Sequence, residues 1–264
     1  MAEKQRSGAT RPLECISSLH PVTATARAST APPGDGAEAQ RHLLAYAAHE
    51  LRTPLATQRA LLELALADVG TDASTWREIG WDVLGACRQQ ERLLEACLTL
   101  ARCRSGLERC QPVDLAAVVA EVLRADDPGT LERVIELAPA RTVGEPSLLE
   151  RLVANLVSNA IRHNIAGGRI HIATRSDPGR AVLSIANTGP PIPATALPRL
   201  FQPFRRLNAS SRSFGDGVGL GLAIVHAIAE AHAATLTARA QTGGGLRIDV
   251  SFPTALDQDL HTPP

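Results

Sequence analysis

Aromatic side chains are scarce in this chain, only 3% of 264 residues. The core must therefore be assembled from Leu, Val, Ile and Ala. Net charge is missing too, because 27 basic and 27 acidic side chains cancel. A balanced chain lacks the electrostatic footprint of a general nucleic-acid or membrane-surface binder, so no nucleic-acid partner is expected. Lysine is nearly absent. Every basic residue except Lys4 is arginine, and the arginines are scattered rather than clustered. Cys15, Cys87, Cys97, Cys103 and Cys110 are odd in number and contain no CxxC pair. That opposes both a disulfide framework and a zinc site. Such usage fits a reducing compartment, and the chain reads as cytoplasmic. No apolar run approaches the roughly 20 residues that span a bilayer. Leu220 to Leu236 comes nearest and is interrupted by His226, Glu230 and His232. No secretory segment is visible, so membrane attachment is expected not to be encoded in this chain.

What is present divides unevenly. Residues 1–38 are rich in Ser, Thr, Ala, Pro and Gly and carry the breaker cluster Ala31-Pro32-Pro33-Gly34-Asp35-Gly36. They read as a disordered tail or linker. From about 39 to 69, Leu44, Ala48, Leu51, Leu55, Leu62, Ala65 and Val69 recur at alternating three- and four-residue steps, with Gln58 in the one polar slot. This predicts a helix with a heptad seam. Val69-Gly70-Thr71-Asp72 ends it. A second helix is expected from about 74 to 104, on Trp76, Ile79, Val83, Ala86, Gln90, Leu93, Cys97 and Leu100. Thr75 and Glu78 have capping-box spacing at its start. The charged face Arg88, Glu91, Arg92 and Glu95 reads as solvated, with docking of a partner protein near His49 as the alternative reading. Two seamed helices on a short connection make an antiparallel hairpin. One hairpin is a poor core and two form a four-helix bundle, so a homodimer is expected.

Residues 111–254 predict a different unit. Helices are expected at Asp114 to Arg124, Pro146 to His163 and Gly217 to Ala231, the second with Pro at a favoured early position. Strands are expected at Arg133 to Leu137, Arg169 to Thr174, Ala181 to Ala186, Thr235 to Ala240 and Leu246 to Phe252. Asp177-Pro178-Gly179 and Gly243-Gly244-Gly245 supply turns. The sum is an α+β multidomain chain: a helical hairpin at 39–106, an α/β sandwich at 111–254 and a loose C-terminal tail at 255–264. Residues 105–112 read as a hinge between the two.

Chemistry concentrates at a few places. In the heptad frame His49 is one residue out from the seam and shares the solvent side with Glu50 and Thr53. Pro54 follows and removes a backbone hydrogen bond. An exposed imidazole, largely neutral at cytosolic pH, is a nucleophile, and Glu50 is placed to take its proton. Composition alone would make His49 an ordinary surface histidine. Asn155, Asn159, Arg162 and His163 share one helical stripe, beside an apolar stripe of Leu149, Leu152, Val153, Leu156 and Ala160. Gly215-Asp216-Gly217-Val218-Gly219-Leu220-Gly221-Leu222 opens a helix, where glycines admit a phosphate to backbone N–H groups. No conventional βαβ unit surrounds it and no Gly-Lys-Ser/Thr ending follows, so it is neither a dinucleotide fingerprint nor a Walker loop. His20, His42, His171, His226, His232 and His261 form no metal-ligand pattern.

Taken in order, these segments resemble the boxes of sensor histidine kinases. His49-Glu50-Leu51-Arg52-Thr53-Pro54-Leu55 resembles the phospho-acceptor box. The run Asn155-Leu156-Val157-Ser158-Asn159-Ala160-Ile161-Arg162-His163-Asn164 resembles the asparagine box. Asn187-Thr188-Gly189-Pro190-Pro191-Ile192-Pro193 resembles the first glycine box, Leu200-Phe201-Gln202-Pro203-Phe204-Arg205-Arg206-Leu207 the phenylalanine box, and Gly215 to Leu222 the second glycine box. Together they cover about 40–252. The resemblance implies a dimerisation and phosphotransfer domain followed by a Bergerat-type ATP-binding domain of the GHKL type. It implies ATP and Mg²⁺, autophosphorylation on His49, and transfer to an aspartate of a response regulator receiver domain in a two-component system. It makes His49, Glu50 and Thr53 catalytic, Thr53 being placed as in the family's phosphatase motif. It makes Asn159 the magnesium ligand. It assigns the nucleotide to Asn155, Asn159, Arg162, His163, Asn187, Gly189, Arg205, Gly217, Gly219, Leu220 and Gly221. Relatives are commonly anchored in the inner membrane. Asn187 stands where the family usually has Asp, and Pro191 where it usually has Gly. Exchanging a charged for a neutral acceptor costs about 1 kcal/mol, a several-fold loss of affinity. A second reading therefore stays open: a degenerate kinase that serves as a dimeric scaffold or regulator with weak or no ATP binding.

Overall fold

Two helices of 33 residues each, α1 (Asp35–Ala67) and α2 (Ala73–Ser105), run antiparallel and open the fold. At 1.5 Å per residue each is about 50 Å long. The computed structural model describes residues 23–26, 35–68, 70, 72–125, 130–204 and 219–254, with 23–26, 35–46 and 125 described by their backbone alone. Asp72, not the Thr75–Glu78 pair expected from spacing, caps α2. Its Oδ1 accepts the Thr75 N–H at 2.8 Å and its Oδ2 accepts the Ser74 hydroxyl at 2.9 Å. These bonds favour the ionised carboxyl and lower its pKa to about 2. Asp72 wins because it precedes the first helical residue, where a side-chain oxygen reaches the open N–H groups of the first turn.

The expected seam splits into two neighbouring stripes. Gln58 of α1 donates to the Val83 carbonyl of α2 at 3.3 Å, so its face is the one α2 covers. Ala47, Gln58 and Ala65 are buried on that face, with Leu51, Pro54 and Leu61 half-buried. Ala48, Leu55 and Leu62, placed on the seam by the heptad count, are exposed. A single partner helix covers only one face of α1. The side chains of Leu44 and Val69 lie outside those described.

The second unit runs β2 (Gln111–Asp114), α3 (Leu115–Ala125), β3 (Glu132–Leu137), β4 (Arg141–Gly144), α4 (Pro146–Arg162), β5 (Arg169–Asp177), β6 (Arg180–Asn187), a 3-10 turn (Ala194–Arg199), α5 (Gly221–Ala231), β7 (Thr235–Ala240) and β8 (Leu246–Pro253). The strands β2 and β4 pair antiparallel and were not anticipated. Asp114 Oδ1 ties their corner by accepting the N–H groups of Ala116 and Ala140, each at 3.0 Å. Helix α5 begins at Gly221 rather than Gly217, which lies outside the described residues.

Residues 1–38 are not all tail. Thr23–Ala26 forms β1, which pairs antiparallel with β7 in the register Thr23↔Arg239 to Ala26↔Leu236, and α1 already begins at Asp35. An edge strand presents unpaired N–H and C=O groups, and an extended segment of the same chain satisfies them here. The resulting sheet has the order β1-β7-β8-β6-β5-β3, antiparallel except for β3 beside β5. The rest of 1–38 and the tail 255–264 lie outside the described residues.

Leu149, Leu152, Val153, Leu156 and Ala160 of α4, all at most 1% exposed, form the apolar stripe read from the sequence. They share one core with Ile172, Leu183, Ile185, Ile248 and Val250 of the sheet. Leu93, Ala96 and Leu100 of α2 belong to the same cluster. The hairpin is therefore packed on the second unit rather than merely connected to it.

Candidate active site

The first chemical locus is the outer side of α1. His49 lies nine residues, two and a half turns, before Gln58, so it projects on the side opposite α2. Both His49 and Thr53 are exposed, while Glu50 is half-buried rather than fully on the solvent side. Pro54 sits inside the helix without ending it and leaves the Glu50 carbonyl without its usual helical donor. The Thr53 hydroxyl donates to the His49 carbonyl at 3.4 Å.

The second locus forms where α4, the end of β6 and the start of α5 meet. Asn155 and Asn159 are half-buried on α4, and Arg162 and His163 are exposed at its end. Asn155 Nδ2 donates to the Arg151 carbonyl at 2.8 Å. A Cβ added to Gly221 would stand 3.2 Å from Asn155 Oδ1, so the α5 N-terminus abuts α4 closely. The residue before α5 is Leu220, which offers no side-chain cap. Among the described residues no side chain caps the first N–H groups of α5, and an anion fits them. Gly219 has φ 73°, a conformation glycine adopts without strain. The Phe204 N–H donates to the Gly219 carbonyl at 3.0 Å, which joins the ends of the two boxes flanking 205–218. Arg205 and Gly217 lie outside the described residues.

Asn187 closes the site. It is 5% exposed, and its Nδ2 donates to the carbonyls of Thr188 at 2.7 Å and His163 at 3.4 Å. Two carbonyls hold the nitrogen, and the side-chain oxygen has no donor among the described residues. Gly189 is buried against α4, where a Cβ would meet the His163 carbonyl oxygen at 2.6 Å. The loop is braced by residues the sequence reading missed. Thr188 Oγ1 donates to Asn164 Oδ1 at 2.6 Å and accepts the Arg169 N–H at 2.8 Å. Gln241 Nε2 donates to the Asn187 carbonyl at 2.8 Å, and the Gly245 N–H to that of Pro190 at 3.1 Å. The triple glycine at 243–245 was the only signal for this brace, since Gly245 has φ 101° and its Cβ would lie 2.0 Å from the Asn187 carbonyl oxygen.

Two family models match this chain. Residues 39–106 match the His Kinase A (phospho-acceptor) domain, and residues 144–256 match the histidine kinase-, DNA gyrase B- and HSP90-like ATPase.

The chain belongs to the sensor histidine kinase family.

Among curated relatives, Sensor protein CutS of Streptomyces coelicolor is 39% identical over 220 residues, covering 81% of this chain and 53% of the relative. Sensor protein kinase PmrB of Pseudomonas aeruginosa is 34% identical over 237 residues, covering 86% of this chain and 48% of the relative. The chain thus spans about half the length of these sensor kinases. Among solved structures, the Acinetobacter baumannii histidine kinase AdeS superposes with TM-score 0.63 at 25% identity, over 78% of this chain and 98% of that one. The histidine kinase ThkA, solved in complex with response regulator protein TrrA, has the same fold, with TM-score 0.64 at 18% identity over 82% of this chain and 62% of that one.

The part that matches the histidine kinase-, DNA gyrase B- and HSP90-like ATPase carries groups suited to a nucleotide. An uncapped helix N-terminus between glycines suits phosphate, and Asn187 supplies an acceptor for an amino group. The Asn159 carboxamide makes no hydrogen bond among the described residues, so its oxygen is available to a cation. No group of three His, Cys, Asp or Glu forms a metal cage among the described residues. Mg²⁺ here would take its other ligands from phosphate and water, as that ion usually does. No described helix is long and apolar enough to cross a membrane.

Proposed function

We propose that this chain is the catalytic core of a sensor histidine kinase that phosphorylates its own His49 from ATP. The observation that carries the reading is the pairing in one chain of an exposed helical histidine with an anion-ready helix terminus beside a braced Asn187. Residues 39–106 form the dimerisation and phosphotransfer domain, and 111–254 form the ATP-binding domain. Asn187 accepts a hydrogen bond from the adenine amino group, and Gly189 lets the base approach. The α5 N–H groups after Gly219 and Leu220 hold phosphate. Asn155, Arg162 and His163 line α4 toward the triphosphate, and Asn159 contributes a neutral oxygen to Mg²⁺. A His49 ring nitrogen attacks the γ-phosphorus as the bond to the β,γ-bridging oxygen breaks, and ADP leaves. Glu50 receives the proton from the other ring nitrogen.

Phosphorylated His49 then donates to an aspartate of a response regulator receiver domain. Thr53, one turn on, orients a water for the reverse, phosphatase reaction. The chain acts in the cytoplasm as a homodimer. Support for the dimer is the bare stripe of Ala48, Leu55 and Leu62 on α1. The scaffold reading loses ground because the Asn187 oxygen remains available as an acceptor. Incubation with γ-labelled ATP tests the proposal. An acid-labile, alkali-stable label that disappears in His49→Gln supports it, and equal labelling of that variant sinks it.

A further inference from the structure

Two ion pairs cross between the hairpin and the ATP-binding domain, and both involve the start of α4. Arg102 of α2 bonds the Glu145 carboxylate at the N-cap of α4. Glu95, two turns earlier on α2, accepts from Arg151 Nη2 at 3.4 Å. The charge order is reversed between the partners, so sliding one element past the other brings like charges together. Glu95 stays on the solvated face and also reaches across to Arg151.

Glu145 is where the elements converge. Its side chain is 7% exposed, and besides Arg102 it accepts from the Ser147 hydroxyl at 3.2 Å and the Glu108 N–H at 3.5 Å. Its own N–H donates to His232 Nε2 at 3.1 Å, at the C-terminal end of α5. One carboxylate therefore pins α2, the linker and α4 together. Strand β2 already belongs to the ATP-binding domain, so the expected hinge at 105–112 shortens to 106–110, and the Glu108 bond restrains its middle.

This docked arrangement does not reach His49 of the same hairpin. Gln58 bonds the Val83 carbonyl and the Cys87 sulfur. Nine residues back on α1 and nine forward on α2, His49 is level with residues 92–96, where Glu95 holds Arg151. His49 nevertheless projects on the side of α1 away from α2. Phosphoryl transfer needs the reacting atoms within about 3–3.5 Å. The Glu95–Arg151 pair is long at 3.4 Å, and Arg151 Nε is buried without a partner among the described residues, so this half of the clasp is the weaker one.

We propose that Glu95 and Arg102 are positioning residues that act through Arg151 and Glu145 to hold the ATP-binding domain docked on α2, withheld from His49. The proposal rests on the kinase reading above. The test uses the full chain and two readouts: the initial rate of His49 labelling at saturating ATP, and tryptic cleavage of the linker at Arg109. The double variant Glu95→Gln, Arg102→Gln keeps donors and acceptors but removes both charge pairs. It should label about five-fold faster, as expected from losing two partly exposed pairs, with unchanged ATP affinity by calorimetry and faster linker cleavage. Glu95→Arg alone should behave likewise, and adding Arg151→Glu should restore the wild-type rate. An unchanged or slower rate in a dimeric, ATP-binding variant overturns the clasp. If the wild-type chain takes no label, the kinase reading fails. The clasp is then decided by cleavage alone: faster cutting in the variant supports it, and equal cutting overturns it.

Discussion

Asn187 Nδ2 lies 2.7 Å from the Thr188 carbonyl oxygen and 3.4 Å from that of His163. A donor is required there. Asn187→Asp restores the family's usual residue and its charged acceptor, worth about 1 kcal/mol more than a neutral one. It also turns a carboxylate toward two carbonyls in a site only 5% exposed, losing two bonds and costing about 1–3 kcal/mol. The loss outweighs the gain. Thermal unfolding should begin several degrees lower without tighter ATP binding by calorimetry. Tighter binding at unchanged melting temperature would refute this account of Asn187.

His232 is 3% exposed. Its Nδ1 faces the Ile228 carbonyl at 2.8 Å, and its Nε2 accepts from Glu145. The bonds suit a neutral ring, and burial lowers its pKa from the ordinary 6.5. The unfolded chain therefore takes up the proton first on acidification. Stability from the neutral ring is complete above about pH 6.5 and is lost as pH falls below it. Urea unfolding at pH 7.5 and pH 5.5 should show this acid loss in the wild type and a shallower one in His232→Asn. Equal slopes in the two proteins would contradict it.

Leu55 is 55% exposed and Leu62 37% exposed in the single hairpin, so polar replacements there leave the α1–α2 contact intact. Burying a leucine contributes about 1.5–3 kcal/mol. Leu55→Glu with Leu62→Glu should raise the dimer dissociation constant by at least about a thousand-fold, while circular dichroism keeps its helical signal. Light scattering after size exclusion measures this. A variant that stays dimeric at micromolar concentration would count against this interface.

Strand β1 predicts a pattern of amide exchange. Proline at Ala24 and Thr25 removes one N–H of each alternate set, so whichever set faces β7 loses a donor and the pairing breaks. Alternate amides of Thr235–Ala240 should then exchange faster, because only those facing β8 keep partners. Uniform exchange rates before and after the change would mean that the β1–β7 pairing is not held in solution.

The two helices, the α4 stripe and five of the strands were legible because each carries its own period. Leu149, Leu152, Val153, Leu156 and Ala160 could only be one face of a helix, and all five are buried. The motifs at His49 and at 155–164 could be read for the same reason: their residues are neighbours along one helix. The short pair β2 and β4 had no such period, since four residues are too few to show alternation. Strand β1 was hidden in a Ser-, Thr- and Ala-rich segment, because its reason for existing is the open edge of β7, more than 200 residues away.

The same division runs through the site. Local order along the chain determined which residues carry chemistry: His49 outside the seam, the asparagines on α4, the glycines before α5. The tertiary structure decided how they are held. Thr188, Gln241 and Gly245 brace the Asn187 loop, and Glu145 gathers α2, the linker and α4 onto its carboxylate and reaches the end of α5 through its own N–H. None of these contacts has a sequence period, because each joins residues brought together only when the apolar faces of separate elements are buried against one another. That burial also decides which of two equally apolar stripes on α1 is covered by α2 and which, with Leu55 and Leu62, stays exposed.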